Sequence, residues 1–149
     1  MKQPGALTLL APLAGWSTPL DEAPDEVFAA RLLGDGLAID PTGATLHAPC
    51  DGEIVLLPAS RHAVTLRTGS GCEILLHVGI DTVALAGDGF EAHVHRARAC
   101  ARAMRSSASI STSSRGARRA SSPRSSLRPR AAVVSAGEAS IARLQSANG

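Results

Sequence analysis

The sequence predicts an all-β protein, an antiparallel β-sandwich, on three observations. Short β-prone runs are separated by glycine-bearing turns every several residues. Two apolar-rich runs flank Thr68-Gly69-Ser70-Gly71 within SRHAVTLRTGSGCEILLHVGIDTV, which reads as a hairpin because glycine reaches positive φ without a Cβ penalty. Up to Phe90 the only helix-like stretch is Asp21 to Leu33, punctuated by Pro19 and Pro24, which reads as one helical turn or an irregular edge.

Taken in order, Ala6 to Ala14 is short and apolar and reads as a first strand, leading into a loop at Trp16-Ser17-Thr18-Pro19. Turns follow at Gly34-Asp35-Gly36, Pro41-Thr42-Gly43 and Cys50-Asp51-Gly52, with strand-like runs at Leu37-Ala38-Ile39, Thr45 to Ala48 and Glu53 to Leu57 between them. Gly-Asp-Gly is a turn signal rather than a phosphate cradle, since no helix pattern follows it. After Gly87-Asp88-Gly89-Phe90 the pattern dissolves into Arg, Ala, Ser and Pro, which bury too little apolar surface to offset ordering entropy. Ala131 to Leu144 regains some apolar character and reads as a strand or short helix.

In the hairpin, a two-residue Gly69-Ser70 loop puts Thr68 across from Gly71 and His62 across from His77. Opposed side chains have Cβ atoms roughly 4.5–5.5 Å apart, so the two imidazoles would be neighbours at one end of an apolar strip with Val64, Leu66 and Leu75. A slip of one residue would send them to opposite faces.

Charge divides the chain in two. Up to Ala92 there are four basic and twelve acidic residues, a net charge of about −8, whereas His93 onward holds eleven arginines and only Glu138, about +10. All three aromatics, Trp16, Phe28 and Phe90, lie in the acidic part, which has the composition of a folded domain. Cys50, Cys72 and Cys100 have neither disulfide-framework nor C-x-x-C spacing and suit a reducing compartment. The N-terminus has one Lys, two prolines and no clear small-x-small site, which argues against a signal peptide, and no apolar run reaches the roughly 18 residues of a membrane span.

Paired histidines fit three chemistries: metal ligation, general acid–base work, or a ring-nitrogen nucleophile supported by the second imidazole. A zinc hydrolase needs a third protein ligand, which Asp81, Asp25 or His47 would have to supply, and no H-E-x-x-H is present. The arginines lack interleaved aromatics or a helical face, so any nucleic-acid binding through them would be nonspecific and steeply salt-dependent.

Gly71 to Val83, GCEILLHVGIDTV, resembles the phosphorylation-site signature of the glucose-type enzyme IIA domains of the bacterial sugar phosphotransferase system (PTS). The resemblance runs from about Leu7 to Phe90 through Pro24 to Ala29, Gly34 to Ile39, Pro41-Thr42-Gly43, Ala48 to Gly52 and His62-Ala63, in the family's order and spacing. It implies an antiparallel β-sandwich with a shallow apolar site. It also implies that His77 accepts a phosphoryl group from phospho-HPr and passes it to the IIB domain of a sugar permease, with no cofactor or metal. His62 then supports the phosphoryl group, Ser60 orients His62, and Asp25, Phe28, Leu75 and Asp81 contact partners. A cytoplasmic location, fusion to other PTS modules and membrane association only through the permease follow from the same resemblance.

The chain departs from the family after about residue 92. This divides it into an incomplete EIIA domain over 5–92 and a low-complexity basic tail over 93–149, with the C-terminal strands missing or replaced by an irregular segment. The tail reads either as a linker to a further module or as an out-of-frame stretch of a GC-rich gene. The latter is favoured because the switch falls inside the expected domain. A sandwich missing strands leaves open edges, so the chain alone is expected to fold poorly.

Overall fold

Period-two alternation decides the layout of the central hairpin: Val64, Leu66, Ile74, Leu76 and Val78 are buried, and the residues between them, apart from the small Ala63, are more exposed. The computed structural model describes residues 7–43, 45–79 and 82–93 in full, and the backbone of 99–100, 110–112, 132–136 and 141–145. The strands are β1 (Leu7–Leu10), β2 (Gly15–Pro19), β3 (Asp35–Pro41), β4 (Thr45–Leu46), β5 (Gly52–Leu56), β6 (Ala63–Arg67), β7 (Glu73–Val78) and β8 (Phe90–Ala92). From the basic segment come β9 (Ala99–Cys100), β10 (Ile110–Thr112), β11 (Ala132–Ala136) and β12 (Ile141–Gln145). One helical turn, α1 (Glu26–Ala29), and two short 3-10 turns, Leu20–Glu22 and Thr82–Leu85, complete the described elements.

The fold is all-β. A seven-stranded sheet runs β2-β3-β11-β7-β6-β5-β9, beside a three-stranded β4-β10-β8 sheet and the pair β1-β12. All pairings are antiparallel except β1 with β12. Leu9 from β1, Leu46 from β4 and Phe90 from β8 close over Ile39, Ile54, Leu66, Ile74 and Leu76 of the large sheet, making one sandwich core. Fully burying each such side chain is worth about 1.5–3 kcal/mol. A second, smaller cluster lies on the other face, where Leu20, Ala23 and Phe28 cover Ala38 of β3, with Leu75 of β7 at its margin.

Three sequence expectations change. Trp16 to Pro19 is not a loop but the edge strand β2, and Trp16 is exposed there. The hairpin loop has three residues, not two: Thr68 N–H donates to Cys72 O at 2.8 Å, Gly71 N–H donates to Thr68 O at 2.9 Å, and Gly71 sits at φ +88°. This is the three-residue hairpin whose last loop residue is left-handed, a conformation glycine reaches freely. Thr68 Oγ1 reinforces it by accepting from Cys72 N–H at 3.0 Å. The register therefore moves by one, and Ala63, not His62, stands across from His77. Val64 and Leu66 consequently leave the histidine face for the core, while Leu75 stays on it.

The third change concerns the segment after residue 92. β11 lies between β3 and β7 and pairs with both, matching Val133 with Ala38 on one side and His77 on the other. The strand–turn pattern ends near residue 90 in sequence, but the sheet is completed from beyond it. Val133 and Val134 are the two β-branched residues that this otherwise Ala/Ser-rich strand offers.

Two measurements test this arrangement. Gly71→Ala should cost about 1–2 kcal/mol in urea unfolding because the left-handed position becomes strained. Gly69→Ala, with nothing within 4 Å of the added Cβ, should stay within about 1 kcal/mol of wild type. Because β11 bridges β3 and β7, the full chain should unfold cooperatively on heating, contrary to the sequence expectation of poor folding, and deleting residues 131–149, which removes β11, should abolish that cooperativity.

Candidate functional site

The site forms where three pieces of chain meet above the small second cluster. β7 supplies His77 and Leu75, held outward because Ile74, Leu76 and Val78 are fixed in the core. The turn before β6 supplies Ser60 and His62, and α1 supplies Phe28. Asp25 makes α1 possible: its carboxylate accepts from Val27 N–H at 2.9 Å and Phe28 N–H at 3.2 Å as an N-cap. Arg31, left-handed at φ 56°, ends the turn and pairs with Asp35.

His62 and His77 do meet, with ring centroids 5.0 Å apart and planes at 77°, though not as a cross-strand pair. His62 lies just outside β6, after Arg61 at φ 53°, which frees its side chain from strand alternation. Its carbonyl accepts from Val78 N–H at 2.8 Å, tying the turn to β7 directly beside His77. Ser60 Oγ lies 2.6 Å from His62 Nδ1 and fixes the ring, so Nε2 is the nitrogen left to face a ligand. Phe28 packs against His77 with centroids 5.1 Å apart, opposite His62 in role if not in chemistry: one neighbour is apolar and one can donate a proton.

His77 is half-buried, and its Nδ1 is fully buried with no hydrogen-bond partner among the described residues. Only Nε2 can therefore reach a reactant. Burial, and then the nearby His62 charge, push the His77 pKa down, whereas the Gly79 backbone and the Asp25 carboxylate favour the protonated ring and offset part of this. Burial also lowers the His62 pKa. Both shifts favour the uncharged ring near neutral pH, and a neutral imidazole nitrogen is the nucleophilic form.

The structure thus brings Ser60, His62, His77, Phe28, Leu75 and Asp25 together; Asp81 lies outside the described residues. Among the described residues, no group of three His, Cys, Asp or Glu side chains has the arrangement of a metal site, so the zinc alternative finds no third ligand there. Sequence reading missed Arg61, Gly79 and Gly87, all at positive φ next to the site. The two glycines carried a signal, since each follows an apolar run, but nothing marks Arg61 as left-handed.

These positions give a titration prediction. In an NMR titration both imidazole midpoints should fall below 6.5, and that of His77 should rise in His62→Ala. The unfolded chain binds protons on these rings from about pH 6.5 downward while the folded chain resists them, so stability is full above that pH and declines as pH falls toward the folded midpoints.

Comparison with known proteins points the same way. The family described as phosphoenolpyruvate-dependent sugar phosphotransferase system, EIIA 1, matches residues 7–103. The chain is 50% identical over 92 residues to a PTS system glucose-specific EIIA component of Bacillus cereus, covering 62% of this chain and 56% of that one. It is 52% identical over 88 residues to a PTS system glucose-specific EIIBCA component of Corynebacterium glutamicum, covering 59% of this chain and 13% of that protein. The chain thus spans little more than half of the first and about an eighth of the second. Glucose permease IIA from Mycoplasma capricolum superposes with a TM-score of 0.59 at 34% identity, over 87% of this chain and 90% of that one. With the family match covering well over half of its length, the chain belongs to the EIIA type 1 family of the sugar phosphotransferase system.

Proposed function

We propose that this chain is a phosphocarrier of sugar uptake. The observation that carries the proposal is the nitrogen geometry: Nδ1 of His77 is buried, Nδ1 of His62 is taken by Ser60, and the rings lie 5.0 Å apart. His77 Nε2 attacks the phosphorus of phospho-HPr in line; the donor's P–N bond breaks, a P–N bond to Nε2 forms, and the HPr histidine leaves with the electron pair. His62 Nε2–H then donates to a phosphoryl oxygen, supplying charge stabilisation where the transfer most needs it. The group next moves to a IIB domain in the reverse of this step.

The half-exposed Leu75 and the Asp25 carboxylate, with the buried Phe28 packed beneath them, support a docking face in which apolar contact supplies affinity and acidic charge sets encounter and register with a basic partner. Asp81 is proposed on the same face by sequence alone. A cytoplasmic site of action is part of the proposal; among the described residues no helix is long and apolar enough to cross a membrane. The Corynebacterium relative's name joins A to B and C units, which supports fusion to other PTS modules as a context for this one. The composition break after Ala92 supports reading 93–149 as a segment of different origin from the EIIA unit, although the family match itself runs on to residue 103.

Incubation with phosphoenolpyruvate, enzyme I and HPr should yield an acid-labile, base-stable phosphohistidine, absent in His77→Ala. His62→Ala should still accept the group but lose onward transfer by about 100-fold or more. The rate of acceptance should fall as pH drops through the His77 midpoint, because protonation removes the nucleophilic lone pair. Label on serine, or none on a folded wild-type chain, would refute the proposal.

A further inference from the structure

We infer that the turn around residues 82–90 is the template that aims His62, with Gly87 and Arg61 as positioning residues for onward phosphoryl transfer; the inference rests on the phosphocarrier reading above. Of the three non-glycine residues with positive φ among the described residues, two, Arg61 and Ala86, sit on the two turns that touch here. Such backbone persists only where the surroundings over-determine it. The Ala86-Gly87 pair, at φ 50° and 96°, brings the chain against the Ser60 turn so closely that a Cβ at Gly87 would lie 3.3 Å from Ala59 O and 3.7 Å from Ser60 Cα.

A second contact crosses the same seam. Arg61 Nη1 donates to Phe90 O at 3.4 Å, and Arg61 N–H closes its own turn on Pro58 O at 2.9 Å. Phe90 is anchored in the main core, so the Ser60 turn is referenced to the sandwich through it. The turn that is thereby fixed is the one whose hydroxyl holds His62 Nδ1. His77 has no such dependence, because β7 itself holds it. The backbone of His62 is tied to β7 through Val78 N–H, but its ring is aimed by the Ser60 turn, whereas β7 alone aims the ring of His77. Moving the Ser60 turn alters the aim of His62 while leaving the acceptor strand in place, and a misplacement of about 1 Å is enough to cost about 100-fold in a positioned reaction.

The test compares wild type, Gly87→Ala, Arg61→Asn and Gly69→Ala, the last at an open turn far from the seam. Formation of phospho-His77 from phosphoenolpyruvate, enzyme I and HPr is timed separately from its loss to the IIB domain of a glucose permease, and the His62 ring resonances are recorded by NMR. Gly87→Ala should shift the His62 resonances and slow onward transfer about tenfold beyond any change in acceptance, with Gly69→Ala matching wild type. Arg61→Asn keeps a residue tolerant of the left-handed turn but removes the bond to Phe90, so it should shift both readouts in the same direction by less. It decides the matter if Gly87→Ala does not fold. Folded variants with wild-type His62 resonances and a wild-type ratio of the two steps would overturn the inference. If wild type itself takes no phosphoryl group, the phosphocarrier reading fails, and unshifted His62 resonances in the variants would still refute the positioning role on their own.

Discussion

Everything at the site depends on the alternation of β7. Ile74, Leu76 and Val78 are locked into the sandwich core, and a strand with period two then has no choice but to present Leu75 and His77 on its other side. A slip of one residue would bury the imidazole and expose three aliphatic side chains, at about 1.5–3 kcal/mol each, so the core enforces the position of the reactive ring. The three-residue turn with Gly71 left-handed sets the register that the core demands, and turn and core agree.

On that fixed strand the remaining parts are added from loops. Asp25 caps a single helical turn, the turn holds Phe28 against one side of His77, and the Ser60 turn brings His62 to another. Each arrangement uses its polar groups to restrict a ring rather than to bind a charge: one nitrogen of each histidine is occupied or buried, and one is left to react. Burial shifts both rings toward the neutral form, which is the form the proposed nucleophilic transfer needs. The ring of His77 is placed by a core strand and that of His62 by turn geometry, a division of labour that suits the acceptor and helper roles proposed for them.

The sequence made much of this legible, and the misses have physical causes. Alternation and glycine spacing placed β3, β5, β6 and β7 to within a residue or two, because those strands carry large aliphatic side chains on one face. They could not separate a two-residue from a three-residue loop at Gly69-Ser70-Gly71, since either glycine could take the left-handed position. The pairing of His62 with His77 was anticipated through the wrong register and is achieved by Arg61 turning the chain out of the strand, which no residue type announces. Asp25 looked like a flanking acid and proves to be an N-cap as well. The strand alternative for Ala131 to Leu144 holds as β11 and β12, but the place of β11 in the sheet is decided by the open edges of β3 and β7, far away in sequence, and its two β-branched residues do not announce it.

The fold buries Nδ1 of His77 and leaves Nε2 as the nitrogen proposed to carry the phosphoryl group. Nitrogen-15 NMR of the phosphorylated chain, labelled on histidine, reads this directly. The account predicts the phosphoryl group on Nε2 of His77, with Nδ1 of that ring keeping the shift of an unmodified nitrogen. A phosphoryl group on Nδ1, or on His62 in place of His77, would contradict it.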